Sequence, residues 1–369
     1  MSVIVDTRFT RMLGLDLPLA GFSRSPGVVA EVSSAGGLGV LAATPYGPDE
    51  LDRHLTWIAE RCGGAPFGVD LLVPPGPMTE SARSPLPSSH IEFVRDLLAE
   101  HGIEAPGLGA LGHGSTTTTS ISSAGVEALL DVTFAHRPAL VANALGPAPA
   151  RLVERAHAED VLVAALIGSS AHARRQLDLG VDLLVAQGTE AGGHTGSIAT
   201  MVLTPEIVDL AGDVPVLAAG GIADGRQLAA SLALGAAGAW CGSVWLASEE
   251  DVTPMTVKRR LLRAGSGDTV RSAARTGKPA RQLRSAWHDA WERSDAPEIL
   301  PMDQQLLLSK DAWALIEAAA EEGRDVGDLT SFFVGQVVGR MTELRPTRQI
   351  VDDMVAGCLA AIGELRGPH

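Results

Sequence analysis

Three features are scarce in this sequence, and each scarcity narrows what the chain can be. Cysteine is the first: Cys62, Cys241 and Cys358 are odd in number and stand in no C-x-x-C or metal-ligand spacing. That argues against a disulfide framework or a zinc site, and for free thiols in a reducing compartment. Long apolar runs are the second. None reaches membrane-spanning length before Gly, Pro or a charge interrupts it, and Met1 to Arg11 lacks the apolar core of a secretory signal. A cytoplasmic protein with no membrane partner is expected. Basic charge is the third: 29 Lys and Arg stand against 44 Asp and Glu, a formal net charge of -15. Binding to nucleic acid needs a basic stripe that displaces counterions, so nucleic acid is not an expected partner.

Short apolar runs, by contrast, are plentiful. With 369 residues and 46% hydrophobic content, the chain can build one large domain and a smaller one. Runs at 17–21, 39–43, 67–73, 131–135, 161–166, 183–187, 216–219 and 239–242 are mostly continuous rather than alternating. Parallel strands covered on both faces read that way. Helical patterns lie between them at 27–35, 48–61, 150–158, 170–179 and 226–234. The alternation predicts an α/β fold, a (β/α)8 TIM barrel, with an open doubly wound sheet as the rival because alternation does not decide closure. From about residue 250 strand signals fade, and 257–264, 281–292, 311–322 and 347–365 read as helices. The expected division is a barrel over 1–250, a mainly helical cap over 251–335, and a C-terminal segment, 336–369, that packs back on the barrel. Segments 74–87 and 107–123, rich in Pro, Ser, Gly and Thr, read as long loops of the kind that act as lids.

The chemistry concentrates at strand ends. Gln187-Gly188-Thr189-Glu190-Ala191-Gly192-Gly193-His194 follows the run 181–186, Gly220-Gly221 follows 214–219, and Gly242-Ser243 follows 239–241. Glycines let backbone N–H groups approach a ligand, and an imidazole moves protons near neutral pH. In a parallel barrel the loops after the seventh and eighth strands commonly hold phosphate, which places Gly220, Gly221, Gly242 and Ser243 in a candidate cradle aided by the helix beginning near Asp224. Glu190 reads either as an orienter of the His194 imidazole or as a charge at a helix N-terminus. His136 reads as a strand-end residue lining the site, or as part of a surface turn; His113 is a weaker candidate. Trp287, Trp291 and Trp313 read as core. Arg271, Arg275, Lys278, Arg281 and Arg284 read as a solvated basic face, or as a receptor for an anionic substrate tail.

These residues resemble the nitronate monooxygenase family, formerly called 2-nitropropane dioxygenases. The likeness runs through Ser33-Ser34-Ala35-Gly36-Gly37-Leu38-Gly39, Phe67-Gly68-Val69-Asp70-Leu71, the 185–194 run, Leu217-Ala218-Ala219-Gly220-Gly221-Ile222-Ala223 and Gly277-Lys278-Pro279-Ala280-Arg281. It covers about residues 10 to 285, and flavin-dependent enoyl thioester reductases carry closely similar motifs. The resemblance implies an FMN-dependent barrel enzyme in which Gln187, Gly188, Gly192 and Gly193 contact the flavin, Gly220, Gly221, Gly242 and Ser243 hold its phosphate, and His194 is catalytic. Two positions depart from the family pattern. Ala20-Gly21-Phe22 stands where the first strand usually ends Ala-Pro-Met, and Asp70 where Asn is common, putting an acceptor-only carboxylate near the flavin.

The implied reaction is oxidation of an alkyl nitronate, or of a nitroalkane after deprotonation, by O2 to a carbonyl compound and nitrite, with His194 as base or nitro-group ligand. Two other readings stay open. One is NAD(P)H-dependent reduction of an enoyl thioester or quinone; no G-x-G-x-x-G follows an apolar strand run, but such reductases can bind nicotinamide on the flavin itself. The other is a flavin- or phosphate-binding protein without catalysis.

Overall fold

A computed structural model describes residues 5–73, 85–108, 123–143, 146 and 148–366. The strands are β1 Leu19–Ser23, β2 Leu38–Ala42, β3 Phe67–Leu71, β4 Leu140–Asn143, β5 Leu162–Ile167, β6 Leu183–Gln187, β7 Gly193–His194, β8 Val216–Ala219, β9 Gly238–Cys241, β10 Thr269–Ser272 and β11 Ala280–Leu283. Eight of them close a parallel barrel in the order β1-β2-β3-β4-β5-β6-β8-β9, with β9 returning to β1. Helices alternate with the strands as in a TIM barrel. The open-sheet alternative is thereby excluded.

The period-2 geometry of each strand sorts the side chains. Ala20, Val40, Ala142, Ala164, Val185, Leu217, Ala219 and Trp240 fill the barrel interior. Their neighbours Leu41, Val69, Val141, Val163, Leu184 and Ala186 pack outward under the helices. Helix Thr347–Arg366 lays Ile350, Val351, Met354 and Cys358 against Leu228 and Ala229 of helix Gly225–Ala233, so the end of the described chain is part of the barrel's outer layer. The approach is close: a Cβ at Gly225 would lie 2.2 Å from the Cys358 backbone nitrogen.

A second core stands apart from the barrel. Trp287, Trp291 and Trp313 are buried in it, together with Leu308, Ile316, Val326 and Leu329. Val94, Leu97 and Leu98 of helix Ser88–Glu100, in the β3–β4 connection, enter the same cluster. The unit beside the barrel therefore draws on two stretches of sequence. It also contains β10 and β11, which pair with each other and then with β7 in an antiparallel sheet of three.

Three local expectations are corrected. Residues 131–135 end helix Ser123–Ala135 rather than forming a strand, and the fourth strand is Leu140–Asn143. Residues 281–292 divide into β11 and helix Ala286–Trp291. The helix expected over 311–322 is Met302–Glu321, so it begins well before that stretch. Most of the proposed lid segments, 74–84 and 109–122 with His113, lie outside the described residues. No described helix is long and apolar enough to cross a membrane. Cys62, Cys241 and Cys358 are free and buried.

Candidate active site

The loop leaving β6 is held from outside the barrel. Its two-residue strand β7 pairs antiparallel with β11, His194 facing Ala280 and Gly193 facing Arg281. Gly193 takes φ 79°, a left-handed conformation in which a side chain would be strained, and a Cβ there would meet nothing within 4 Å. Two arginines pin the loop carbonyls: Arg281 Nε donates to Thr189 O at 2.7 Å and Arg271 Nη2 to Thr195 O at 2.9 Å. The backbone of His194 is thus fixed by a hairpin more than seventy residues downstream.

Its side chain is fixed too. His194 Nε2 lies 2.9 Å from Thr276 Oγ1, and that hydroxyl donates to the Lys278 carbonyl at 2.9 Å. A hydroxyl has one proton to give. With that proton committed to Lys278 O, Thr276 accepts from Nε2–H, and Nδ1 is left as the lone-pair nitrogen. The imidazole edge opens on a cavity of about 320 Å³ that Leu166, Gly168, His172, Arg175, Gln187 and Lys278 also line. No carboxylate is among its described lining residues. The ring keeps solvent access at the cavity mouth, yet the protein packed around it partly desolvates it, and this, followed by the Lys278 charge, lowers its pKa below the ordinary histidine value. A neutral imidazole with a free Nδ1 can accept a proton near pH 7.

Other predicted residues gather at the same end of the barrel. Gly220 and Gly221 follow β8 at φ 95° and 74°. A Cβ at Gly220 would stand 3.0 Å from Ala191 N, so this turn abuts the His194 loop directly. Gly188 N–H donates to Ala219 O at 2.9 Å. Gly242 and Ser243 follow β9; Ser243 Oγ accepts from Gly335 N–H at 2.8 Å, leaving its own proton to donate. Ala20 points into the barrel, whereas Gly21 faces helix Pro26–Ser34, where a Cβ would be 2.7 Å from a Val32 methyl. Phe22 is half-buried and stacks on Trp240 with centroids 5.9 Å apart and planes at 28°.

Asp70 revises one expectation. Its strand neighbours Val69 and Leu71 pack outward, so by alternation Asp70 is directed to the barrel interior, where it is 3% exposed and its Oδ1 has no hydrogen-bond partner. Burial raises its pKa well above the usual carboxylate value. Burial thus favours the protonated form, which can donate as an amide does, over the acceptor-only carboxylate.

Three further readings are corrected. His136 follows a helix rather than a strand and bonds Asp52 Oδ1 at 2.8 Å across the barrel's outer helices, away from the His194 cavity. Of the two readings of Glu190, the imidazole orienter is the one corrected and the charge at a helix N-terminus is borne out: its carboxylate accepts from Thr200 N and Oγ1, both at 2.9 Å, and so caps helix Thr200–Ala211. The helix beginning at Gly225 carries the Asp224 carboxylate at its N-terminus, which accepts from Gln227 N at 3.1 Å, so one of the N–H groups that would help a phosphate cradle is already used. The basic run is mostly structural, since Arg284 pairs with Asp289 and Glu292 and Arg271 and Arg281 pin the loop. Thr276 was missed. Its only sequence signal is adjacency to Gly277-Lys278-Pro279, and its role depends on a long-range pairing.

Comparison with known proteins places the chain. A model of the family described as nitronate monooxygenase matches residues 15–357. A Mycobacterium tuberculosis protein, Rv1533, provisionally named a monooxygenase, is 51% identical over 98% of each chain. Among solved structures, nitroalkane oxidase from Streptomyces ansochromogenes matches with a TM-score of 0.79 at 27% identity, over 97% of this chain and 99% of its own. FabK from Thermotoga maritima matches with a TM-score of 0.73 at 26% identity, over 98% and 99%.

Proposed function

This chain belongs to the nitronate monooxygenase family of flavin oxidoreductases, and from that premise we propose that it binds FMN and oxidises alkyl nitronates with O2 to a carbonyl compound and nitrite. The residues present suit such a cofactor. Asp70 Oδ1 is an enclosed polar atom without a partner, directed by strand alternation to the barrel interior. Ser243 keeps a free proton beside the Gly220-Gly221 turn, in the loops that hold phosphate in barrels of this kind. Gly220, Gly221, Gly242 and Ser243 would hold the phosphate; Ala20, Phe22, Asp70, Gln187, Gly188, Gly192 and Gly193 would surround the ring. When bound, FMN supplies the transfer of electrons from the organic substrate to O2.

The chain's own part is proton handling and positioning. The observation that carries the reading is the Thr276-locked His194, neutral and with Nδ1 free, on a cavity with no carboxylate among its described lining residues. Nδ1 takes the α-proton of a neutral nitroalkane, and the Lys278 charge that disfavours the imidazolium also favours the anionic nitronate so formed. The unit built around 251–335 is the substrate-facing part, because its hairpin delivers both Thr276 and Lys278. Replacing His194 by Asn should reduce turnover of the neutral nitroalkane more than that of preformed nitronate; equal losses on both would refute the base role.

A second reading, NAD(P)H-dependent reduction of an enoyl thioester or quinone, is favoured by the likeness to FabK. Rapid anaerobic reduction of the bound flavin by a nicotinamide would select it.

A further inference from the structure

Arg275 immediately precedes Thr276, yet its guanidinium takes no part in holding His194. Its Cζ lies 4.2 Å from the Trp313 ring centroid and 4.6 Å from that of Phe333. Phe333 is the ring beside His194, with centroids 6.4 Å apart. Arg24, which directly follows β1, sits with Cζ 4.6 Å from the Phe332 centroid. Phe332 and Phe333 meet edge to face at 6.4 Å. Two half-buried guanidinium groups therefore flank one pair of consecutive rings next to the candidate base.

Among the described residues, neither cation has an ion-pair partner. Arg275 forms no hydrogen bond or ion pair with any described residue, and its Nη1 is enclosed without an acceptor. Burial, aided by the Arg24 charge, lowers the Arg275 pKa to about 10, and Glu317 counters this only through its field. Arg24 Nε is likewise enclosed and unpartnered, and its Nη2 makes one long bond, 3.4 Å, to Thr253 Oγ1. Unpaired cations withdrawn from water are costly, and two that repel each other more so. Stacking on rings recovers part of that cost but leaves the in-plane N–H edges unused. Those edges form a fork suited to the oxygens of a carboxylate or phosphate.

We propose that Arg24 and Arg275, set against Phe332 and Phe333, form a subsite for an oxyanion, a carboxylate or a phosphate, at the end of the substrate remote from the reacting carbon. This deepens the proposed function and rests on His194 as the reaction centre. The other arginines of the segment have partners already, as described above, so the subsite is specific to these two.

The test is calorimetric titration of the flavin-loaded enzyme with three chain-matched probes: butanoate, butyl phosphate and butyramide. At least one anion should bind about tenfold or more tightly than the neutral amide. Arg275→Gln should weaken that anion about tenfold to a hundredfold and leave the amide unchanged, with Arg275→Lys partly restoring it. A preference for butanoate assigns a carboxylate-bearing substrate, and one for butyl phosphate a phosphorylated one. Equal affinities for all three probes, or equal losses in Arg275→Gln, would overturn the subsite. The wild-type comparison needs no variant, so a misfolded Arg275→Gln does not remove the test. None of the probes is a nitronate, so failure of nitronate oxidation would leave the binding result standing.

Discussion

At the scale of single residues, a protonation pattern is what makes the site chemical. Thr276 acts through His194, setting its tautomer by accepting from Nε2–H while donating to Lys278 O. Thr276→Val removes the acceptor without changing shape much. It should cost about tenfold in turnover of the neutral nitroalkane, the value of one such bond, while Thr276→Ser retains activity. The acid limb of the kcat/KM profile should also move in the valine variant, which mere loss of packing would not cause. Asp70 makes a second prediction. Its pKa is raised in the folded protein above the unfolded value of about 3.9, so the stability it contributes is present in acid and is lost as pH rises toward the folded pKa. Asp70→Asn should therefore have a higher Tm than the wild type at pH 8, with a gap that narrows toward pH 4. A gap independent of pH would contradict a buried neutral acid. The glycine runs and His194 were legible because Gly-rich strand ends are local signals. Arg275 was legible only as one member of a basic run open to an anionic substrate tail, and Thr276 and Phe333 were not, because each gains its role from residues far away in sequence.

At the scale of elements, the sequence was readable where periodicity was unambiguous and failed where short apolar runs were read alone. Residues 131–135 contain Val132, Thr133 and Phe134, which look strand-like. In the longer window Val126, Leu129, Leu130, Thr133 and Phe134 are buried at helical spacing, and the segment is the end of a helix. The strands β10 and β11 were invisible for the opposite reason: each has four residues, and neither is a strand without the other and β7. Helix Ala286–Trp291 shows how tightly this unit is built. His288 Nδ1 accepts the Ser285 backbone N–H at 3.1 Å, a capping box made with an imidazole. Burial and the nearby Arg275 lower the His288 pKa to about 4. Since the unfolded value is about 6.5, the fold keeps its full contribution above that pH and loses it as pH falls toward 4, by about 3 kcal/mol in the limit. Urea unfolding at pH 7 and pH 4.5 should show His288→Gln losing less stability over this interval than the wild type. Equal acid losses in both would mean that His288 does not titrate there.

At the scale of the whole molecule, the barrel presents glycine turns from β6, β8 and β9 at one mouth, and the appended unit brings a hairpin to the same mouth. The barrel was legible in the sequence because continuous apolar strands alternating with helices admit few architectures. Closure was not, since it depends on β9 finding β1 across more than two hundred residues. The appended unit was legible as a second core from its tryptophans, but its recruitment of helix Ser88–Glu100 was not. The proposed division of labour, with the barrel holding the cofactor and the appended unit tuning the base, leads to one decisive measurement. The purified flavin-loaded protein is mixed anaerobically, in separate experiments, with an alkyl nitronate, NADH and NADPH, and the flavin absorbance is followed. Bleaching by the nitronate, without need of a nicotinamide, is the predicted result. Rapid bleaching by NADH or NADPH with the nitronate inert would contradict nitronate oxidation and establish a reductase.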